Sequence, residues 1–169
     1  MARLTGISKN LSAFLDTIAH SELGSLLTVP GSDDGYNVLV GSMPSKPIFF
    51  DSYADHPRRK VLIQRLHIWS SAAGRYQFMP LTWDAVVRKC DLEDFSPTNQ
   101  DLGCIQLIDE RGALQLVECG QIEEAIYKCS LEWASFPASK ADSQGQYGQG
   151  ANRLEGLISV YKSLGGILA

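Results

Sequence analysis

Apolar side chains recur at Leu11, Phe14, Leu15, Ile18 and Ala19, the i, i+3, i+4, i+7, i+8 spacing of one buried helical face. The spacing predicts a helix from Leu11 to Gly24, with the glycine as its stop. Thr28 to Tyr36 carries Pro30, Gly31, Asp33, Asp34 and Gly35, which is turn chemistry that breaks a helix. Tyr36 to Gly41 then reads as a short strand, with Ile48-Phe49-Phe50 as its partner. Val61 to Trp69 fits either a short helix or an extended segment. Helical stripes return at Thr82 to Lys89, from Ser96-Pro97 to Gly112, at Gln121 to Phe136 and at Asn152 to Leu164. Ser96 is expected to cap its helix, with Pro97 in the first turn. Met79, Trp83 and Trp133 read as core positions. Ser139 to Gly150 is different: Ser, Gln and Gly dominate around the lone aromatic Tyr147. It suits a mobile surface loop, or a place where a tyrosine stacks on a sugar.

Composition narrows this little but excludes much. The chain has 169 residues, enough for one domain with its own core, and no internal repeat or linker divides it. Hydrophobic residues make up 44% and charged residues 20%, as in ordinary globular domains. A net charge of −4 argues against a nucleic-acid footprint. Apolar runs fall well short of the ~20 residues of a membrane span. Met1 to Gly6 lacks a secretory apolar region, so synthesis in the cytoplasm without a cleaved signal is expected. Cys90, Cys104, Cys119 and Cys129 form no CxxC pair and have no histidine at metal-ligand spacing, so reduced thiols are expected, with neither metal nor cofactor.

The candidate chemistry lies on the first stripe. One more step along it lands on Glu22, a carboxylate where a core residue is expected. Burial disfavours the charged form, so such a side chain should hold its proton near neutral pH. A neutral carboxyl at a cleft wall is what a general acid for glycosidic cleavage requires. A glutamate on a frayed last turn, pointing into water, gives the same pattern, and the residues alone leave both open. Small residues lead into Arg75-Tyr76-Gln77, which suggests either close backbone approach to a flat polar ligand or a loop-to-helix junction. Asn37 is neutral, so it can hydrogen-bond a substrate but cannot be a carboxylate nucleophile. Asp33, Asp34, Asp51 and Asp55 lie in polar loops with no evident pairing to Glu22. His20, His56 and His67 are too scattered to suggest a nuclease centre.

A set of ordered strings resembles the phage lambda-type endolysins, a family of lysozyme-like lytic transglycosylases. They are Ala13-Phe14-Leu15-Asp16 leading to Ser21-Glu22, then Gly35 to Gly41, and Tyr53-Ala54-Asp55-His56-Pro57-Arg58. Ala72 to Gln77, Asp94-Phe95-Ser96-Pro97, Glu110 to Leu114, Trp133-Ala134-Ser135 and Tyr147-Gly148-Gln149 follow. Together they run over nearly the whole chain. The resemblance implies an α+β, lysozyme-like fold: mostly helical, with a small antiparallel sheet and two lobes around a substrate cleft. It implies peptidoglycan glycan strands as partner and cleavage of the β-1,4 bond from MurNAc to GlcNAc, leaving 1,6-anhydro-MurNAc ends. Glu22 matches the catalytic glutamate, and Tyr76, Gln77 and Tyr147 match positions along the cleft. A monomer is expected, held in the host cytoplasm until a holin-type pore gives access to the wall, with no insertion into the membrane. One departure is Leu23, which stands where the family has glycine directly after the glutamate. A hydrolytic muramidase and a non-catalytic wall-binding protein are the competing readings.

Overall fold

Ser8 begins the first helix by accepting the Leu11 amide on its hydroxyl at 3.0 Å, and α1 runs Lys9–Leu23. Phe14, Leu15, Ile18 and Ala19 are fully buried. Each large apolar side chain so placed contributes about 1.5–3 kcal/mol. Together they outweigh the cap, worth ~1 kcal/mol, so tertiary packing rather than local signals holds α1 in place. The computed structural model describes residues 1–64, 67–141 and 151–169. Within them α2 spans Pro80–Cys90, α3 Pro97–Glu110, α4 Leu114–Glu118, α5 Ile122–Cys129 and α6 Leu154–Ser163. α1 packs against α3, α4 and α6, and the main core extends from Leu11 to Tyr161.

Residues 36–41 do meet 48–50 as expected, but only through an isolated antiparallel bridge, and the regular sheet lies elsewhere. The regular pairing is the hairpin of β1 (Val61–Ile63) with β2 (Ile68–Ser70), antiparallel with Leu62 opposite Trp69. Residues 36–41 instead thread between two partners. Leu39 N–H donates to Ile48 O and Val40 N–H to Ala72 O, leaving isolated bridges at Val38–Phe49 and Leu39–Ala73. Val38 and Leu39 point to opposite sides and both are buried, so an alternating face never forms. Two further expectations shift, and one helix is unforeseen. α5 stops at Cys129 rather than Phe136. α4 comes from a stretch with no evident stripe. Ser96 makes no side-chain cap; its amide donates to Asp94 Oδ1 at 2.9 Å, while Pro97 does open α3. The cysteines are free, with Cys104 and Cys129 buried and Cys119 exposed.

A buried polar lattice joins the pieces behind the cleft. Arg75 and Asp16 form an ion pair at 2.7 Å with both side chains almost wholly enclosed. Arg75 also donates to the Asp34 carbonyl, and its backbone N–H donates to Gln100 Oε1. Asp101 accepts the hydroxyls of Tyr36 and Tyr76 at 2.8 and 2.6 Å, and the amides of Arg3 and Leu4 at 2.6 and 2.8 Å. Gly74 makes the close approach to α3 possible: at φ +80° it sits where a Cβ would lie 2.3 Å from Gln100 Oε1. Asp101→Ala would leave two enclosed tyrosine hydroxyls without their acceptor, at about 1–3 kcal/mol each. The expected loss is about 3–5 kcal/mol in urea denaturation, with Asp101→Asn losing less because one carbonyl oxygen remains.

Candidate active site

α1 ends where Gly24, at φ +51°, turns the chain and donates its N–H to His20 O. Glu22 therefore lies in the last helical turn, and it opens into a cleft of about 530 Å³. Leu23, Leu26 and Leu39 line one side, residues 40–42 and the β hairpin another, and Gln77, Met79 and residues 132–135 close it. Ser135 Oγ donates to Glu22 Oε1 at 2.5 Å. Burial pushes the Glu22 carboxyl above its ordinary value, while the Ser135 hydroxyl and amide, which favour the charged form, pull the other way. Burial wins. The arrangement is a carboxyl that stays protonated longer than a solvated one, held at the wall of an open groove.

A model of the Endolysin family matches residues 12–168. The chain belongs to the endolysin family. It is 40% identical to the endolysin of Escherichia phage P2 over 165 residues, 95% of this chain and 96% of that protein. It is 38% identical to the endolysin of Escherichia phage lambda over 160 residues, 95% of this chain and 94% of that protein. Its fold is similar to a solved structure of bacteriophage lambda lysozyme complexed with a chitohexasaccharide, with a TM-score of 0.84, 37% identity and coverage of 98% of this chain and 100% of that one. A second structure, lysozyme from bacteriophage lambda, superposes with a TM-score of 0.81 at 34% identity, again over 98% and 100% of the two chains. The α+β, lysozyme-like architecture expected of the family is the one observed.

In this endolysin-family chain the other sequence-derived candidates do not all converge on Glu22. Gln77 does line the cleft. It sits in a tight turn at φ +50°, its side-chain NH2 donating to Gly74 O at 2.9 Å and to Val38 O at 3.4 Å. Tyr76, its neighbour, points the opposite way and is a correction: it is only 1% exposed, and its hydroxyl donates to Asp101 Oδ1. A residue committed to that lattice presents no side chain to a glycan. Asn37 is absent from the cleft lining; its side-chain NH2 donates to Gly31 O at 2.9 Å, its backbone carbonyl accepts the Phe50 amide, and its Oδ1 is buried with no hydrogen-bond partner among the described residues. Tyr147 lies outside the described residues. Met79, expected in the core, is 46% exposed and lines the cleft. Trp133 is buried as expected, yet one surface faces the groove, and its indole N–H donates to Tyr76 O at 3.1 Å.

Two further residues belong to the site without a pattern of their own in the sequence. Glu132 lines the same cleft, and Arg111 holds it through Nε and a terminal nitrogen, at 3.2 and 2.7 Å from Oε2. Ser135 is the partner of Glu22. Both flank Trp133-Ala134, so the matched string around that tryptophan was the one available signal. Asp33 and Asp55 are occupied elsewhere. Asp33 binds Arg3 and Tyr53, and although burial opposes it these contacts hold its carboxyl below the usual range. Asp55 pairs with Arg58.

The raised Glu22 pKa has a thermodynamic consequence. The folded state binds this proton more tightly than the unfolded chain, so the stabilisation is complete below the ordinary glutamate range and is lost as pH rises through the folded value. Glu22→Gln cannot ionise. It should therefore melt progressively higher than the parent as pH is raised from 4 to 8, with the two curves closest at the acid end; thermal melts by circular dichroism across that range measure it.

Proposed function

We propose that this protein cleaves the β-1,4 bond between MurNAc and GlcNAc of peptidoglycan by lytic transglycosylation, with Glu22 as acid and then base. Its family and its lysozyme-like fold make it a lytic enzyme of the cell wall. The chitohexasaccharide in the lambda lysozyme structure supports a glycan in the corresponding groove here. The observation that carries the finer reading is the contrast between the two carboxylates lining the cleft. Glu22 has its proton held by burial, whereas Glu132 is tied up by Arg111.

Glycosidases that use water generally employ two carboxyl groups, one as acid and one as base or nucleophile. One suffices when the substrate supplies its own nucleophile. Neutral Glu22 gives its proton to the leaving glycosidic oxygen as the C1–O bond breaks through an oxocarbenium-like state. The resulting carboxylate takes the proton of the MurNAc C6 hydroxyl, whose oxygen closes on C1 to form the 1,6-anhydro ring. The proton count balances, and Glu22 ends as it began. Such proton transfer is worth roughly 10²–10⁴-fold, and the tethered C6 hydroxyl adds a proximity term that a free water lacks.

Hydrolysis is the second reading, and the presence of Glu132 in the cleft is what favours it. In that case Glu132 would activate a water and Glu132→Gln would be inactive. Action on the wall as a monomer, after release from the cytoplasm through a holin-type pore, completes the proposal. No helix among the described residues is long and apolar enough to cross a membrane.

Mass spectrometry of muropeptides from purified sacculi decides the chemistry. Anhydro ends are expected; reducible ends in their place would establish hydrolysis. Glu22→Gln should reduce solubilisation of sacculi by about 10²–10⁴-fold while remaining folded, and full lysis by this variant would refute the role given to Glu22. Activity should fall on the alkaline side as Glu22 loses its proton, with that limb lying above the ordinary glutamate range.

A further inference from the structure

A chain of hydrogen bonds runs behind Glu22, through Ser135 and Ser21, to Asn152. Asn152 Nδ2 lies 2.9 Å from Ser21 Oγ, 3.2 Å from Ser21 O and 3.3 Å from Ser135 O. Two of these partners are backbone carbonyls, which only accept, so this end of the amide is fixed as the NH2. The Asn152 backbone N–H also donates to Ser135 O, at 2.8 Å. Ser21 Oγ thus accepts a hydrogen bond from Asn152 and directs its own O–H to Ser135 Oγ, 2.7 Å away. Ser135 Oγ, already an acceptor from Ser21, directs its O–H to Glu22 Oε1 at 2.5 Å.

We infer that Asn152 is a positioning residue for the catalytic proton: by fixing the direction of the Ser21–Ser135 relay it keeps Glu22 Oε1 an acceptor in both protonation states and leaves the acid proton on Oε2. The inference rests on the reading of Glu22 as the general acid. A hydroxyl can reverse its role by rotating, so two serines alone would let the relay run either way. If it ran backwards, Glu22 would carry its proton on Oε1 and donate it to Ser135, where it cannot reach a glycosidic oxygen. An amide NH2 cannot reverse. The three donors also tie together the end of α1, the segment after α5 and the approach to α6, so the direction is built from three separate parts of the chain.

Asn152→Asp tests this. The aspartate has the same shape but only accepts when ionised. It would draw the Ser21 O–H toward itself, turn Ser135 toward Ser21, and invite the Glu22 proton onto Oε1. Asn152→Ala loses the same ties without reversing anything, since water can donate in place of the amide. With purified sacculi, Asn152→Asp should lower kcat by about 10–100-fold on the pH plateau, with KM held within about 2-fold. Asn152→Ala should cost only several-fold. The alkaline limb should also move up in Asn152→Asp, but the added charge alone could do that, so a double-mutant cycle decides. Ser21→Ala severs the relay and leaves the charge, and in that background Asn152→Asp should cost no more than Asn152→Ala. Equal losses for the two Asn152 variants in the parent, or an undiminished Asn152→Asp effect in Ser21→Ala, would overturn the inference. If Asn152→Asp does not fold, Ser21→Ala carries the test: it should lower plateau kcat several-fold at unchanged KM, and a parental kcat would overturn it. The Glu22→Gln control separates the two levels. Lysis retained by Glu22→Gln removes the acid itself, whereas an inactive Glu22→Gln beside equal Asn152 variants removes only the relay.

Discussion

The Arg75–Asp16 ion pair and the Asp101 carboxylate beside it hold the back of the cleft in register. Four segments far apart in the chain meet there: α1 through Asp16, the turn at 33–36, the hairpin at 73–78 and α3. None of these groups tolerates burial alone. An isolated charge in a low-dielectric interior costs several kcal/mol even after relaxation. Apart from Arg75 Nε, which has no hydrogen-bond partner among the described residues, these groups are paired only when all four segments are in place, so the arrangement specifies their relative position more sharply than apolar contacts could. Because α1 also carries Glu22, fixing Asp16 fixes the origin from which the last helical turn reaches the cleft.

Glu22 itself reflects a balance. Enclosure among Leu23, Leu26 and the Trp133 segment favours the neutral carboxyl, and Ser135 favours the charged one. A carboxyl buried without a partner would hold its proton too tightly to act as base in the second half of the reaction. A fully solvated carboxyl would have none to give at neutral pH. The hydroxyl and amide of Ser135 moderate the effect of burial without cancelling it. That suits a group asked to donate and then accept within one turnover.

The cleft is built from pieces with little regular structure of their own. The threaded segment 36–41, the turn that carries Gln77 and the residues after α5 form few ladder bonds. They are held by isolated bridges, by the Trp133 indole bond to Tyr76 O, and by the polar lattice beneath. Adjacent residues in the tight turn at 73–78 face opposite ways. This one device gives Tyr76 to the core and Gln77 to the groove.

What the sequence determined by itself was periodic or local. The α1 stripe, the glycine stop at Gly24, Pro97 at the head of α3 and the carboxylate on the stripe at Glu22 all follow from side-chain spacing within a few residues, because a helix sets its own geometry. The ordered strings added the family. Position in space was decided only by the tertiary structure. Tyr76 reads like a ligand contact until Asp101 claims its hydroxyl from a helix 25 residues away. Residues 36–41 read as a strand, but burial of both Val38 and Leu39 gives them two partners through isolated bridges rather than a ladder. Glu132 and Ser135 enter the site through Arg111 and Glu22, 21 and 113 residues distant. Hydrogen-bond partners so far apart leave no period in a sequence; only the closed fold brings donor and acceptor within 3 Å.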